Sequence, residues 1–337
     1  MPTVIVSPCG TSLLTNQTDE ELRKLLIRTA NSQETELTDE QKKTIAKHLD
    51  KRRELILNAD LNEARKLSAE LNGIITYYAG SPKGEQHILL ATDTYLGGNT
   101  AKIVAEWLEK QGLKAIPKVV KNLSTKNVES FRIAISEIVQ WCAEELEQQY
   151  PKPHWTIVFN LTGGFKSVNG FLQALAMFYA DESIYIFESG GQLLRIPRLP
   201  IQLDTEGAIG KHLQTFRRMA VLKEELSVEE CKGIPETLLE QIDNRVGLSE
   251  WGELVWQKCW KQHYTQELLS PLSEKLKYSE RFHQEGNNLS EDRLLIINQR
   301  LDQLSRYLNS DSNASYNPRS LDFKLLKGRP FKGKLSP

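Results

Sequence analysis

Apolar residues recur along this chain at two spacings. Short continuous runs bounded by small or turn-forming residues predict buried strands at Thr3–Val6, His87–Ala91, Ala115–Val120, Thr156–Asn160, Ser183–Phe187 and Leu193–Ile196. Between them apolar positions return every three or four residues, the period of a helix with one buried face. Thr100–Lys110 carries Ile103, Val104, Trp107 and Leu108 in this way, Val128–Leu146 carries Phe131, Ile135, Ile138, Val139 and Cys142, and a third helix is predicted over Ser167–Tyr179. Gly97-Gly98 reads as a turn before the first of these, and Gly190-Gly191 as the bend of a hairpin.

Alternation of strand and helix over the first 200 or so residues predicts an α/β domain, a Rossmann-like and mostly parallel sheet, over residues 1–203. A charged, helix-forming stretch at about 19–72 interrupts it. Thr18-Asp19 and Thr38-Asp39-Glu40-Gln41 supply helix starts there, which suggests an insertion over the sheet. After Pro197 and Pro200 the texture becomes helical, with capped starts expected at Ser227–Glu230 and Ser249–Glu253. Residues 204–270 read as a helical segment. Residues 271–337 read as a helical extension ending in a basic tail, in which Arg319–Pro337 holds six Lys/Arg against one Asp.

Composition narrows the function. The chain has 337 residues with 43 basic and 44 acidic side chains, a formal net charge of -1, which excludes a chain-wide polycation but not a local basic pocket. Its apolar runs fall far short of the ~20 residues of a membrane span, and the N-terminus lacks the basic start of a secretory signal. The four cysteines (Cys9, Cys142, Cys231, Cys259) form no CxxC pair, so a reducing cytoplasm is the expected location. The six histidines show no ligand spacing, so no metal and no cofactor is expected.

Two loops carry candidate chemistry, each following a predicted strand at its C-terminal end, where open α/β sheets bind ligands. In Pro8–Asn16, Gly10 allows close backbone approach, and Thr11, Ser12, Thr15 and Asn16 offer small polar groups. A hydroxyl-rich turn of this kind can also do no more than cap the next helix. In Asn160–Ser167, Thr162-Gly163-Gly164 precedes Lys166 at a helix start, so amides, a helix dipole and a cation can face one anion. A plain Gly-Gly turn with a surface lysine is the alternative. Walker A spacing is absent, as is the G-x-G-x-x-G of a nucleotide-cofactor enzyme. Asp93, in Thr92-Asp93-Thr94, is the one acid near a strand end of this crevice.

GTSLLTN after the first strand and Asn160-x-Thr162-x-x-x-Lys166 after a later one resemble the two ligand motifs of CARF domains, closest to the ring nuclease family of type III CRISPR systems. Thr92-Asp93-Thr94 fits the same pattern. The likeness covers residues 1–200 and extends more weakly to about 265, and it implies that the helical segment 204–270 is winged-helix-like. It implies a homodimer whose paired loops ring a cyclic oligoadenylate, most often cyclic tetra-adenylate, and cleave it without metal to 2′,3′-cyclic phosphate ends. Ser12 and Lys166 match the family's catalytic pair. Gly10, Thr11, Asn16, Thr92, Asp93, Asn160, Thr162, Gly163 and Gly164 match ligand-binding positions. In the other reading under this resemblance the chain is a sensor that binds the ring uncut and controls its C-terminal part. Tyr278–Phe282, the helix to Leu308 and Leu321–Gly328 resemble the start of a RelE-type toxin, cut short before most of its sheet. The basic tail is where an RNA contact would fall, although a plain solvated tail fits the same composition.

Overall fold

The computed structural model describes residues 1–79, 86–123, 127–187, 191–201, 203–204, 207, 209–286 and 288–310. Contacts divide the chain into two compact units, the first ending at Gln202 and the second starting at Leu203.

The first unit is built on strands β1 (Thr3–Cys9), β2 (Gln86–Thr92), β3 (Ala115–Val120), β4 (Thr156–Asn160), β5 (Glu182–Ile186) and β6 (Leu193–Pro197). They form one sheet in the order β3-β2-β1-β4-β5-β6. All pairings are parallel except the β5–β6 hairpin. The Rossmann-like, mostly parallel α/β architecture expected from the alternation is the one observed. β1 and β4 lie side by side at the centre, so the two candidate loops leave the same edge of the sheet. The reason is burial on both faces: Val4, Ile5 and Val6 of β1 and Ile157, Val158 and Phe159 of β4 are wholly enclosed.

The excursion over 19–72 folds into helices that cover one face. Helices α1 (Ser12–Thr15), α2 (Glu20–Thr29), α3 (Asp39–Asn58), α4 (Leu61–Leu67) and α5 (Ala69–Tyr77) follow β1. Their Leu13, Leu26, Ile45, Ile56 and Leu71 share a core with Ile5, Leu89 and Val158. Thr38 and Gln41 form the expected reciprocal cap of α3. Helix α6 (Tyr95–Lys110) joins β2 to β3, and α7 (Val128–Trp141) leads through a π-helical turn and the short α8 (Glu147–Gln149) to β4. Helix α9 (Lys166–Tyr179) joins β4 to β5.

Two local expectations need correction. Gly97-Gly98 is no turn; it lies within α6, whose cap Thr94 accepts from Gly97 N at 3.2 Å. A side chain at Gly97 would collide with Thr92 Oγ1, so the glycine serves close packing. Ser7, Pro8 and Cys9, expected in a loop, belong to β1 and pair with Leu89, Leu90 and Ala91. Pairing with β4 ends at Val6, so the proline sits where the ladder on that side has stopped.

The second unit is not purely helical. β7 (Leu226–Ser227), β8 (Leu239–Ile242) and β9 (Arg245–Leu248) form an antiparallel sheet in the order β7-β9-β8. Ser227 therefore starts no helix. It exchanges hydrogen bonds with Glu230 as a capping box would, yet the residues that follow stay in turns. Ser249 does cap the helix Glu250–Gln266, accepting from Gly252 N at 3.1 Å. Buried contacts also cross residue 270. Arg217, on the short helix Leu213–Arg217, pairs at 2.5 Å with Asp302, on the helix Glu291–Asn309. Asn298 on that same helix donates to Tyr264 O and Glu267 O. Gly190, Leu321–Gly328 and the basic tail lie outside the described residues.

Candidate functional site

At the end of β1 the chain turns through Gly10 into the single helical turn of α1. A Cβ at Gly10 would lie 3.1 Å from Gly164 N and 3.2 Å from Gly164 Cα, so the two loops touch backbone to backbone. Gly164 itself has φ of +87°, the left-handed region that glycine enters without strain. Its own Cβ would lie 2.8 Å from that of Pro8.

Under this contact lies a residue the motif reading did not include. Glu70, in the first turn of α5, is fully buried. Its Oε1 accepts from Gly10 N at 2.9 Å. Oε2 accepts from Ser12 Oγ at 2.9 Å and from Ser68 Oγ at 2.7 Å. A side chain on Gly163 would run into the same carboxylate. The expectation that Asp93 is the one acid at this crevice is therefore corrected, because α5 brings Glu70 in from the insertion. Its signal lay in the sequence: Glu70 is the lone charge in the apolar run Leu67–Ala79.

The hydrogen bonds fix what Ser12 can do. Its proton goes to Glu70, and Ala69 N donates to its Oγ at 3.0 Å. One lone pair remains, so in this arrangement Ser12 offers an acceptor to a ligand and no donor. Asn160 acts beneath the loops. Fully buried, it donates to Ser7 Oγ at 3.1 Å and Glu70 O at 2.9 Å and accepts from Thr162 N at 3.3 Å. It braces β4 against β1 and α5. Burial, with the Glu70 charge second, pushes the nearby Cys9 thiol up, which keeps it an unreactive neutral group.

The β4 loop supplies the cationic side. Thr162 Oγ1 is buried without a partner among the described residues, and Asn169 holds Leu161 O and Gly163 O at 3.0 and 2.9 Å. Lys166 is exposed as the first residue of α9 and makes no ion pair or hydrogen bond among the described residues. Phe165 caps that helix without a side-chain hydrogen bond, so its first amides stay available. Free amides, the helix dipole and a lysine thus sit at one helix start, an arrangement that suits an anion.

Three expected ligand residues are placed differently. Thr92 bonds to Thr94 Oγ1 at 2.8 Å, and Asp93 accepts from Asn122 N at 2.9 Å. Both finish the end of β2. Asn16 stands beyond the far end of α1, where its amide holds Lys66 O and Leu67 O at 3.2 and 3.3 Å. The structure thus brings together Gly10, Thr11, Ser12, Thr162, Gly163, Gly164 and Lys166, with Asn160 as a brace below them. Among the described residues no group of three His, Cys, Asp or Glu is arranged to hold a metal ion, and no helix is long and apolar enough to cross a membrane.

Residues 65–199 match a family model described as CRISPR-associated protein (Cas_APE2256). The matched stretch contains Glu70, the end of β2 and the whole β4 loop through Lys166, and it stops short of β1. This match supports a CRISPR-associated family for that part of the first unit.

Proposed function

We propose that the first unit binds a cyclic oligoadenylate, cyclic tetra-adenylate in the first instance, across a two-fold dimer, and cleaves it. The observation that carries this is the pairing of an acceptor-only Ser12, held by Glu70, with the uncapped start of α9 and its unpaired Lys166. A ribose 2′-OH donating to Ser12 Oγ is held for in-line attack on its own phosphorus. The O2′–P bond forms as the P–O5′ bond breaks. The 2′ proton leaves to water, and water protonates the departing 5′ oxygen. Lys166 and the α9 amides offset the charge that builds on the phosphoryl oxygens. The protein supplies geometry and electrostatics and no nucleophile.

The test is incubation of the purified chain with cyclic tetra-adenylate in EDTA, with products run on a denaturing gel. Linear products with 2′,3′-cyclic phosphate ends are expected, from a protein that sediments as a dimer without ligand. Binding without cutting would favour the pure sensor, a reading that Ser12's committed proton supports. Activity lost in EDTA and restored by magnesium would overturn the metal-free chemistry, and absence of binding would overturn the ligand class.

A further inference from the structure

Behind α1, away from the loops, lies a second concavity of about 510 Å³ between the start of α2 and the flank of α3. Its lining is cationic: Lys43, Lys47, Lys51 and Arg52 stand against Asp19 as the one acid. Asp19 is already engaged as the cap of α2, accepting from Leu22 N at 2.9 Å. Four-residue steps on a helix put the three lysines on one face at intervals of about 6 Å. Like charges at this spacing repel. None of the three has an ion pair among the described residues, although nearby Lys24 and Arg53 find Glu20 and Glu106 at 2.6 and 2.5 Å.

Arg52 is the second, independent observation. It is only 4% exposed. One terminal nitrogen, Nη2, serves Asn16 O and Thr18 Oγ1, while Nε is buried with no partner among the described residues. Among the described residues no carboxylate pairs with it, and burial pulls its pKa down. A buried guanidinium without a counter-ion is an expensive arrangement that an anion would relieve. Its planar fork suits a phosphoryl group, and the lysines extend the positive field along a ligand carrying several charges. The lining holds no Phe, Tyr or Trp, and its one aromatic ring, His48, is buried with Nε2 on Leu14 O at 2.8 Å, so a nucleobase would find little face to stack on.

We propose that this cavity is a binding site for a compact polyphosphate, the di- or triphosphate group of a small ligand, distinct from the loop site and not dependent on the function assigned to it. The experiment is calorimetric titration of the full chain with tripolyphosphate at low ionic strength. Lys43→Glu/Lys47→Glu, at exposed positions that leave the fold intact, is expected to weaken binding about tenfold or more, and raised salt to weaken it further. Lys24→Glu and Ser12→Ala are expected to bind like wild type. ATP is expected to compete, which would place the phosphate chain on a nucleotide, while competition by pyrophosphate alone would point to the free anion. No binding by the wild type overturns the proposal, as does binding unchanged in the double variant or lost with Ser12→Ala. It is equally overturned if a single-stranded oligonucleotide shows the lysine dependence and tripolyphosphate does not.

Discussion

Asp302 in the second unit and Glu70 in the first are both buried carboxylates, and the two are held in opposite ways. Asp302 in the second unit faces the guanidinium of Arg217, with Tyr264 donating to it as well. Burial draws the Arg217 pKa down, and the Asp302 charge more than reverses this, so the guanidinium stays charged. Glu70 in the first unit pairs with no cation among the described residues. A backbone amide and two serine hydroxyls satisfy it instead, and one of those hydroxyls opens onto the crevice. An ion pair sealed on all sides has nothing left to offer a ligand. A carboxylate held by neutral donors can orient one of them, which marks Glu70 as part of the site and Asp302 as part of the scaffold.

The sharpest way to break the comparison is at Asp302. Asp302→Ala strands a buried guanidinium and is expected to destabilise the second unit by about 3–5 kcal/mol, read as an earlier transition in urea. A change under about 1 kcal/mol would mean that water reaches Arg217 and the scaffold role is wrong. Next comes Lys166→Ala, expected to abolish cleavage and to weaken ring binding about tenfold or more, since a charge-assisted contact is worth roughly 1.5–3 kcal/mol. Ser12→Ala is expected to lose cleavage with a smaller binding defect. Equal binding and wild-type turnover in both variants would remove these residues from the site.

Glu70→Gln keeps the shape while turning one acceptor into a donor that faces other donors. We expect a cost of about 1–3 kcal/mol in stability, with cleavage reduced through misorientation of Ser12. Full activity at unchanged stability would make Glu70 a bystander. The smallest effect concerns alkaline pH. Burial, and then the Glu182 carboxylate that its hydroxyl meets at 3.0 Å, push Tyr77 up to about 12. Burial likewise pushes Tyr264 and Tyr278 up in the second unit. Because the folded pKa exceeds the unfolded one, the stabilisation is present below about pH 10 and is lost as pH climbs towards 12. Unfolding followed between pH 9 and about 12 should show both units weakening above about pH 10 and not below it.

The sheet was legible in the sequence because buried parallel strands are written as unbroken apolar runs, and Thr156–Asn160 could be placed without knowing its neighbours. The loops were legible because glycines and hydroxyls cluster where strands end. What stayed hidden depends on contacts between distant segments. Glu70 is 58 residues from Ser12, inside a stretch whose charges otherwise describe a solvated insertion. Arg52 looks like any other cation of α3 until its burial is seen. The Gly97-Gly98 pair misleads for a related reason, since the tight packing on Thr92 that requires glycine appears only once β2 and α6 are folded together. Asp93 looked free because the turn it holds through Asn122 comes from the far side of β3.

The direct touch of Gly10 on Gly164 carries a consequence for how the two motifs could change over time. With no side chain between them, bulk added to one loop presses straight on the backbone of the other, which would have to yield by a few tenths of an ångström. A change of bulk in one loop is therefore felt by the other, although some 150 residues of chain separate them. A methyl group at Gly10 would act as a wedge, and the change that relieves it should arise on the opposite loop sooner than beside it.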